Sequence, residues 1–250
     1  MARLGVIAGL TAEIRCLEVR TAPKVEVVAG ATGARPGAGR DCAERLLRAG
    51  ATALASFGFA GALAPNLRAG ALVIPTEVIA PHGERYGVDL EWRARLLRRI
   101  GSVADSAVLG CDRPLASARD KAEAHRDTGA AAVDMESHDV AAVARDAGVP
   151  FLAVRSISDA ADRAIPSAAL RGVTPDGGRN TLGVLIGLVL APWEVVALFR
   201  LARDSQKAIA SLRRVARLSL GGLALEVDLG QQRGHVPVVD PLGGTGASQG

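Results

Sequence analysis

The chain has 250 residues, 49% of them hydrophobic, so it can bury a sizeable core and is not a disordered chain; one domain is the default at this length. Aromatic residues are only 3% of the total, too few for the stacking platforms of single-strand nucleic-acid binders, and no nucleic-acid partner is expected. Much of the net charge of +4 sits late in the chain, where Arg200, Arg203, Lys207, Arg213, Arg214 and Arg217 form either a solvated helix face or a surface for anionic lipid.

Cys16, Cys42 and Cys111 are odd in number and widely spaced, so neither a disulfide framework nor a metal motif is read, and a reduced, cytoplasmic setting is expected. The histidines form no pair at metal spacing, and no metal is expected. The segment Met1 to Gly9 is too short for a signal peptide and reads as a first strand.

Strand and helix signals then alternate. Leu4–Ala8 is an apolar run followed by Gly9 and a helical segment. Val25–Val28 is a second run, Asp41–Arg48 a charged helix, and Ala51–Phe57 a third run ending at Gly58 and Gly61. Ala71–Ala80 reads as one strand with Pro75 at a bulge or edge. Leu90–Ile100 and Ser117–Arg126 read as helices with the short strand Ser106–Leu109 between them. Strand Ala130–Val133, helix Glu136–Ala147 and buried strand Phe151–Ile157 follow. This alternation predicts an α/β fold with a central, largely parallel or mixed sheet flanked by helices. The apolar stretch Leu182–Leu190 and the basic amphipathic segment Trp193–Val215 predict a helical C-terminal extension, and Gly230–Gly250 has the composition of a disordered tail. Residues 1–180 are thus expected to form the main domain, 181–218 its helical extension and 219–250 the tail.

Three places combine strand ends with polar residues. Glu13 lies four residues beyond Gly9 at the carboxyl end of the first strand, where α/β sheets bind ligands; an acid in a first helical turn can equally complement the helix dipole. The glycines of Gly58-Phe59-Ala60-Gly61 either admit a ligand to the backbone or make a tight turn. Val133-Asp134-Met135-Glu136 and Arg155-Ser156-Ile157-Ser158-Asp159 are apolar strands that run into carboxylates, which buried strands do not carry without a polar partner. His138, on the helix after Glu136, reads as a surface or subunit-contact residue.

The motifs at Gly58–Leu63, Val133–Ser137 and Arg155–Asp159, in this order, resemble the superfamily of purine nucleoside phosphorylases and methylthioadenosine/S-adenosylhomocysteine nucleosidases, over about residues 4–165. More narrowly, Val133–Asp162 and Leu201–Ser205 look like its hopanoid-associated branch, for which the implied substrate is adenosylhopane and the implied products are adenine and ribosylhopane. The resemblance implies a three-layer phosphorylase/hydrolase-like fold and a homo-oligomer. It also implies cleavage of an N-glycosidic bond through an oxocarbenium-like transition state, which needs a protonated leaving base and a nucleophile at the sugar.

On this resemblance Asp159 is the general acid toward the purine N7, expected to hold a proton through burial, with Ser158 orienting it. Met135 and Glu136 hold ribose, and Gly58, Phe59, Ala60, Gly61, Leu115, Val133 and Asp134 complete the substrate site. Leu115 or Phe59 would pack on the base where the family places an aromatic. Glu13 matches the base that activates water in the nucleosidases, at a place where the hexameric phosphorylases carry a phosphate-binding Arg; a carboxylate there repels phosphate. Water is therefore the expected nucleophile and no cofactor is expected. Phosphorolysis with inorganic phosphate held by Arg15, Arg35 or Arg40 stays open, as do a methylthioadenosine/S-adenosylhomocysteine nucleosidase and a non-enzymatic nucleoside-binding accessory protein. The extension 182–215 is either an ordinary core helix or a peripheral contact with the inner membrane face.

Overall fold

The computed structural model describes residues 2–17, 25–33, 35–101, 103, 106–170, 186 and 191–220. Among these residues nine strands form one mixed sheet, and helices cover it, as the alternation predicts. Strand β1 (Ala2–Ala8) pairs in parallel with β2 (Val25–Ala31) on one side and with β3 (Ala53–Ala62) on the other. Beyond β1, β3 pairs in parallel with β9 (Phe151–Asp159), and its last residues, Gly61 and Ala62, pair antiparallel with β8 (Ala132–Asp134). From β8 the sheet continues through β7 (Ala107–Gly110) and β5 (Glu77–Ile79) to β6 (Arg85–Gly87), while β4 (Leu72–Val73) lies antiparallel on β9.

Two departures from the sequence reading have clear causes. Ala71–Ala80 is not one strand: the chain leaves β9 after Val73, passes Pro75, which cannot donate to a ladder, and joins β7 from Glu77 onward. A hairpin partner, β6, then extends β5. The glycine-rich segment is also no turn, because Gly58 and Gly61 lie inside β3.

The helices are α1 (Thr11–Ile14), α2 (Ala38–Arg48), α3 (Leu90–Ile100), α4 (Ala118–Thr128), α5 (Ser137–Asp146), α6 (Ser167–Leu170) and α7 (Val195–Val215). Local signals set several ends: Asp89 accepts the amide of Trp92 at 2.7 Å to start α3, and Ser117 accepts that of Asp120 at 3.0 Å to start α4. Gly129 closes α4 at φ 70°, which L side chains rarely adopt. The small side chains of α5, Ala141, Ala142 and Ala144 among them, bring it close to the sheet. Helix α7, the expected C-terminal helix, buries Asp204, Ala208, Leu212 and Val215 along one face. The stretch 182–190 apart from Ile186, and the expected tail from 221 onward, lie outside the described residues.

Candidate active site

A cavity of about 380 Å³ opens where the ends of β1, β3, β8 and β9 converge. Its position follows from register. Strand β8 pairs antiparallel with the end of β3 at Gly61, and just beyond it Glu136 comes up against Gly9. On β9 one extra residue, Ser158, falls between the pairs Ala60↔Ile157 and Gly61↔Asp159. Such a bulge re-aims side chains, and both Ser158 and Asp159 line the cavity.

At one end stands Glu13, 3% exposed. Its Oε2 accepts the Leu10 amide and its Oε1 the Phe59 amide, both at 2.6 Å. The carboxylate therefore serves the entry to α1 and also reaches across to β3. Gly58 makes this possible, since a Cβ there would stand 2.6 Å from Glu13 Oε1 and 2.8 Å from Arg155 Nη1. Gly9 does the same for the next carboxylate: its Cβ would meet Glu136 Oε1 at 2.6 Å and Glu13 Oε2 at 3.5 Å. Glu13 and Glu136 thus flank one glycine.

One fully buried cation holds this end together. Arg155 pairs through Nε with Asp134, donates to Ser56 and to Ser137 Oγ (2.9 Å from Nη2), and lies 3.8 Å from Glu136 Oε2. Its Nη1 is buried and has no hydrogen-bond partner among the described residues, on the side where Gly58 admits Glu13. A single guanidinium thus faces three carboxylates, and their protonation follows. Burial pushes the Glu13 carboxyl above its ordinary range, with the Phe59 and Leu10 amides and Arg155 pulling it back. Burial pushes Glu136 up to about 8, Arg155 opposing and the charges of Asp134 and Glu13 adding to the rise.

A folded-state carboxyl raised in this way binds a proton that the unfolded chain has already lost. Its contribution to stability is full below the ordinary carboxylate range and is lost as pH climbs to about 8. The thermal midpoint is expected to fall between pH 5 and pH 8 in the native protein and to fall less in Glu136→Gln. Parallel melting curves for the two proteins would sink this attribution.

At the other end is Asp159, beside Gly61, where a Cβ would approach its Oδ2 to 3.1 Å. Gly58 and Gly61 are three residues apart on β3, so the two acidic ends are separated by roughly 10 Å of strand. Burial alone is not what Asp159 meets. Lys121 of α4, fully buried, places Nζ 2.5 Å from Asp159 Oδ2, and Ser158 donates to Oδ1 at 2.7 Å. Both oxygens are held as acceptors.

Of the residues singled out in the sequence, Glu13, Phe59, Gly61, Leu115, Val133, Asp134, Met135, Glu136, Ser158 and Asp159 line this cavity. Gly58 and Ala60 shape β3 behind it, and the Asp134 carboxylate is taken up by Arg155 and Ser137. Phe59 is the one aromatic lining it among the described residues. Arg15, Arg35 and Arg40 are exposed and do not line it. His138 is not a surface residue: only 8% exposed, it packs against Gly110, where a Cβ would lie 2.4 Å from its ring. Among the described residues no cluster of His, Cys, Asp and Glu could hold a metal.

Sequence reasoning assigned no role to Arg155 or Lys121. Arg155 carried a signal, a cation inside the apolar run Phe151–Ile157. Lys121 carried none, because every other residue of α4 is at least partly exposed.

A model of the phosphorylase superfamily matches residues 15–185. The chain belongs to that superfamily. Glu13 precedes the matched span, so its placement rests on the geometry above. No curated protein sequence matches the chain. Among solved structures, 5′-methylthioadenosine/S-adenosylhomocysteine nucleosidase from Neisseria meningitidis, in complex with methylthio-immucillin-A, aligns with a TM-score of 0.64 at 19% identity. The alignment covers 86% of this chain and 97% of that one. Futalosine hydrolase of Helicobacter pylori aligns at 0.62 and 15% identity over the same shares, and the nucleosidase of that organism at 0.62 and 16%, also over 86% and 97%. At such identities the likeness is one of fold, and this superfamily member shares its sheet and helices with the nucleosidases.

Proposed function

We propose that this protein hydrolyses the N-glycosidic bond of an adenine nucleoside, releasing adenine. The observation that carries the reading is one cavity with Glu13 at one end, Asp159 at the other, and Met135 and Glu136 lining it with them. A ribosyl group spanning it would offer C1′ to a water activated by Glu13, while Asp159 protonates the leaving base. Glu136 in its ionised form would accept hydrogen bonds from the ribose hydroxyls, and Met135 would pack on the sugar face. Arg155 Nη1 adds a donor beside Glu13. Water is favoured over phosphate because the Glu13 carboxylate at this end of the cavity repels an anion, and Arg15, Arg35 and Arg40 do not line the cavity.

The finer reading is that the 5′ substituent is large and apolar, with adenosylhopane the candidate and ribosylhopane the product. Leu10, Ile165, Ala169, Leu170 and Leu201 give the cavity an apolar lining. Trp193, just before α7, and Val196 and Phe199 in its first turns are exposed beside the exposed Arg200 and Arg203, which supports peripheral contact with a cytoplasmic membrane face. No described helix is long and apolar enough to cross a membrane. Association into a homo-oligomer belongs to the same reading.

The test is adenine release from methylthioadenosine and from adenosylhopane in detergent, each with and without phosphate. Release from adenosylhopane without phosphate is expected. A strict phosphate requirement overturns hydrolysis in favour of phosphorolysis; efficient release from methylthioadenosine alone overturns the lipid substrate. Binding without any release would leave the nucleoside-binding accessory role. Flotation with anionic vesicles tests the membrane contact separately, and failure to float ends it.

A further inference from the structure

Among the described residues, Lys121 is the most deeply buried charged side chain outside the Arg155 cluster. It is 0% exposed, and its ammonium has three acceptors: Asp159 Oδ2 at 2.5 Å, the Ala160 carbonyl at 3.1 Å and the Arg163 carbonyl at 2.8 Å. Lysine is almost never fully buried without a specific partner. A helix can be tied to a loop without burying an ammonium, since the two carbonyls would accept from any neutral donor. Among the described residues the charge has its one carboxylate counterpart in Asp159.

We propose that Lys121 is the positioning residue for departure of the base, acting through Asp159 as anchor and proton reserve. This rests on the hydrolytic reading above. The pair carries one transferable proton, as ammonium and carboxylate or as amine and carboxylic acid. In the second form Asp159 presents an acid to the purine N7. When the bond from C1′ to N9 breaks, its electron pair stays on the base, N7 takes that proton, and the pair is left as amine and carboxylate. Glu13 takes the proton of the attacking water as the new bond from oxygen to C1′ forms. After adenine has left, that proton returns to Lys121 through solvent, and the enzyme is reset. The two backbone carbonyls keep Nζ in place in either form, and Ser158 keeps Asp159 from turning away.

The experiment compares two leaving groups on one ribosyl moiety with the same 5′ group: adenine, which needs a proton to depart, and p-nitrophenolate, which does not. Lys121→Met is expected to lower kcat on the adenine nucleoside about 10²-fold, the scale of positioned acid catalysis, with KM and the nitrophenyl rate changed only a few-fold. Asp159→Asn should show the same pattern, and Asp159→Asn with Lys121→Met should be no slower than Asp159→Asn alone. The double variant leaves no unpaired buried charge, so it carries the test should Lys121→Met fail to fold. Equal losses on both leaving groups, or a further loss in the double variant, would show a merely structural lysine and overturn the proposal. So would a Lys121→Met enzyme as fast as the wild type on the adenine nucleoside. A wild-type protein that cleaves neither compound overturns the hydrolytic reading, and this inference with it.

Discussion

Glu13→Gln is expected to lower kcat for adenine release by about 10²–10⁴-fold, the usual contribution of a general base, with KM little changed. The amide has the shape of the carboxylate and can still accept the Phe59 amide through one oxygen. It cannot take a proton from water. Its NH₂ must then face the Leu10 amide, which loses its acceptor, so a small stability cost is expected as well. A second consequence separates chemistry from disruption. The Glu13 charge is one of the causes that raise Glu136 to about 8. In the wild type, kcat/KM should climb with pH until Glu136, coupled to Glu13, is ionised near that value. In Glu13→Gln the residual activity should reach its plateau at lower pH, because Glu136 has lost a neighbouring charge. Single-turnover rates of adenine release from pH 5 to 9 would show both effects. A variant within a few-fold of wild type would remove Glu13 from the mechanism.

Much of the frame was legible from residue order, because apolar runs separated by amphipathic segments have few ways to pack. The runs at Leu4–Ala8 and Phe151–Ile157 are the cores of β1 and β9, and the carboxylates just past the strand ends do converge. Illegible was whatever depends on pairing. Nothing local tells that Gly58 and Gly61 continue a strand, since their role is to leave room for Glu13, Arg155 and Asp159, which arrive from other elements. Nor does the run Ala71–Ala80 announce that its halves pair with β9 and β7, at different places in the sheet. Lys121 is the extreme case. Its neighbours in sequence are charged residues and alanines, so periodicity makes it one more surface lysine, and only the path of the chain over Asp159 buries it. Sequence patterns report which face of an element is apolar; a buried charge is decided by its partner, and the partner lies elsewhere in the chain.

Arg155 is where fold and chemistry meet, and its removal should have the largest effect on stability. Arg155→Met keeps the apolar stem of the side chain and some of its volume but leaves Asp134, Glu136 and Glu13 without their shared cation, and Ser56 and Ser137 without a donor. Breaking a buried ion pair by removing one partner costs roughly 3–5 kcal/mol, since the remaining charge stays buried. For a chain of this size that is a fall in Tm of about 6–20 °C. The loss should itself depend on pH. Carboxyls left together can escape repulsion by taking up protons, so the variant loses least in acid and most at alkaline pH, where the wild type depends on the guanidinium alone. Arg155→Lys keeps the charge but cannot reach Asp134, both serines and Glu136 with one planar group, and should fall between the two. Adenine release should fall in Arg155→Met even at pH 6, where the fold survives best, because the guanidinium that pulls the Glu13 carboxyl back toward its ordinary range is gone. Thermal unfolding at pH 6 and pH 9 decides the matter. Equal stability losses at the two values would mean that Arg155 contributes packing rather than charge, and the carboxylate cluster would then need another account of how it stays buried.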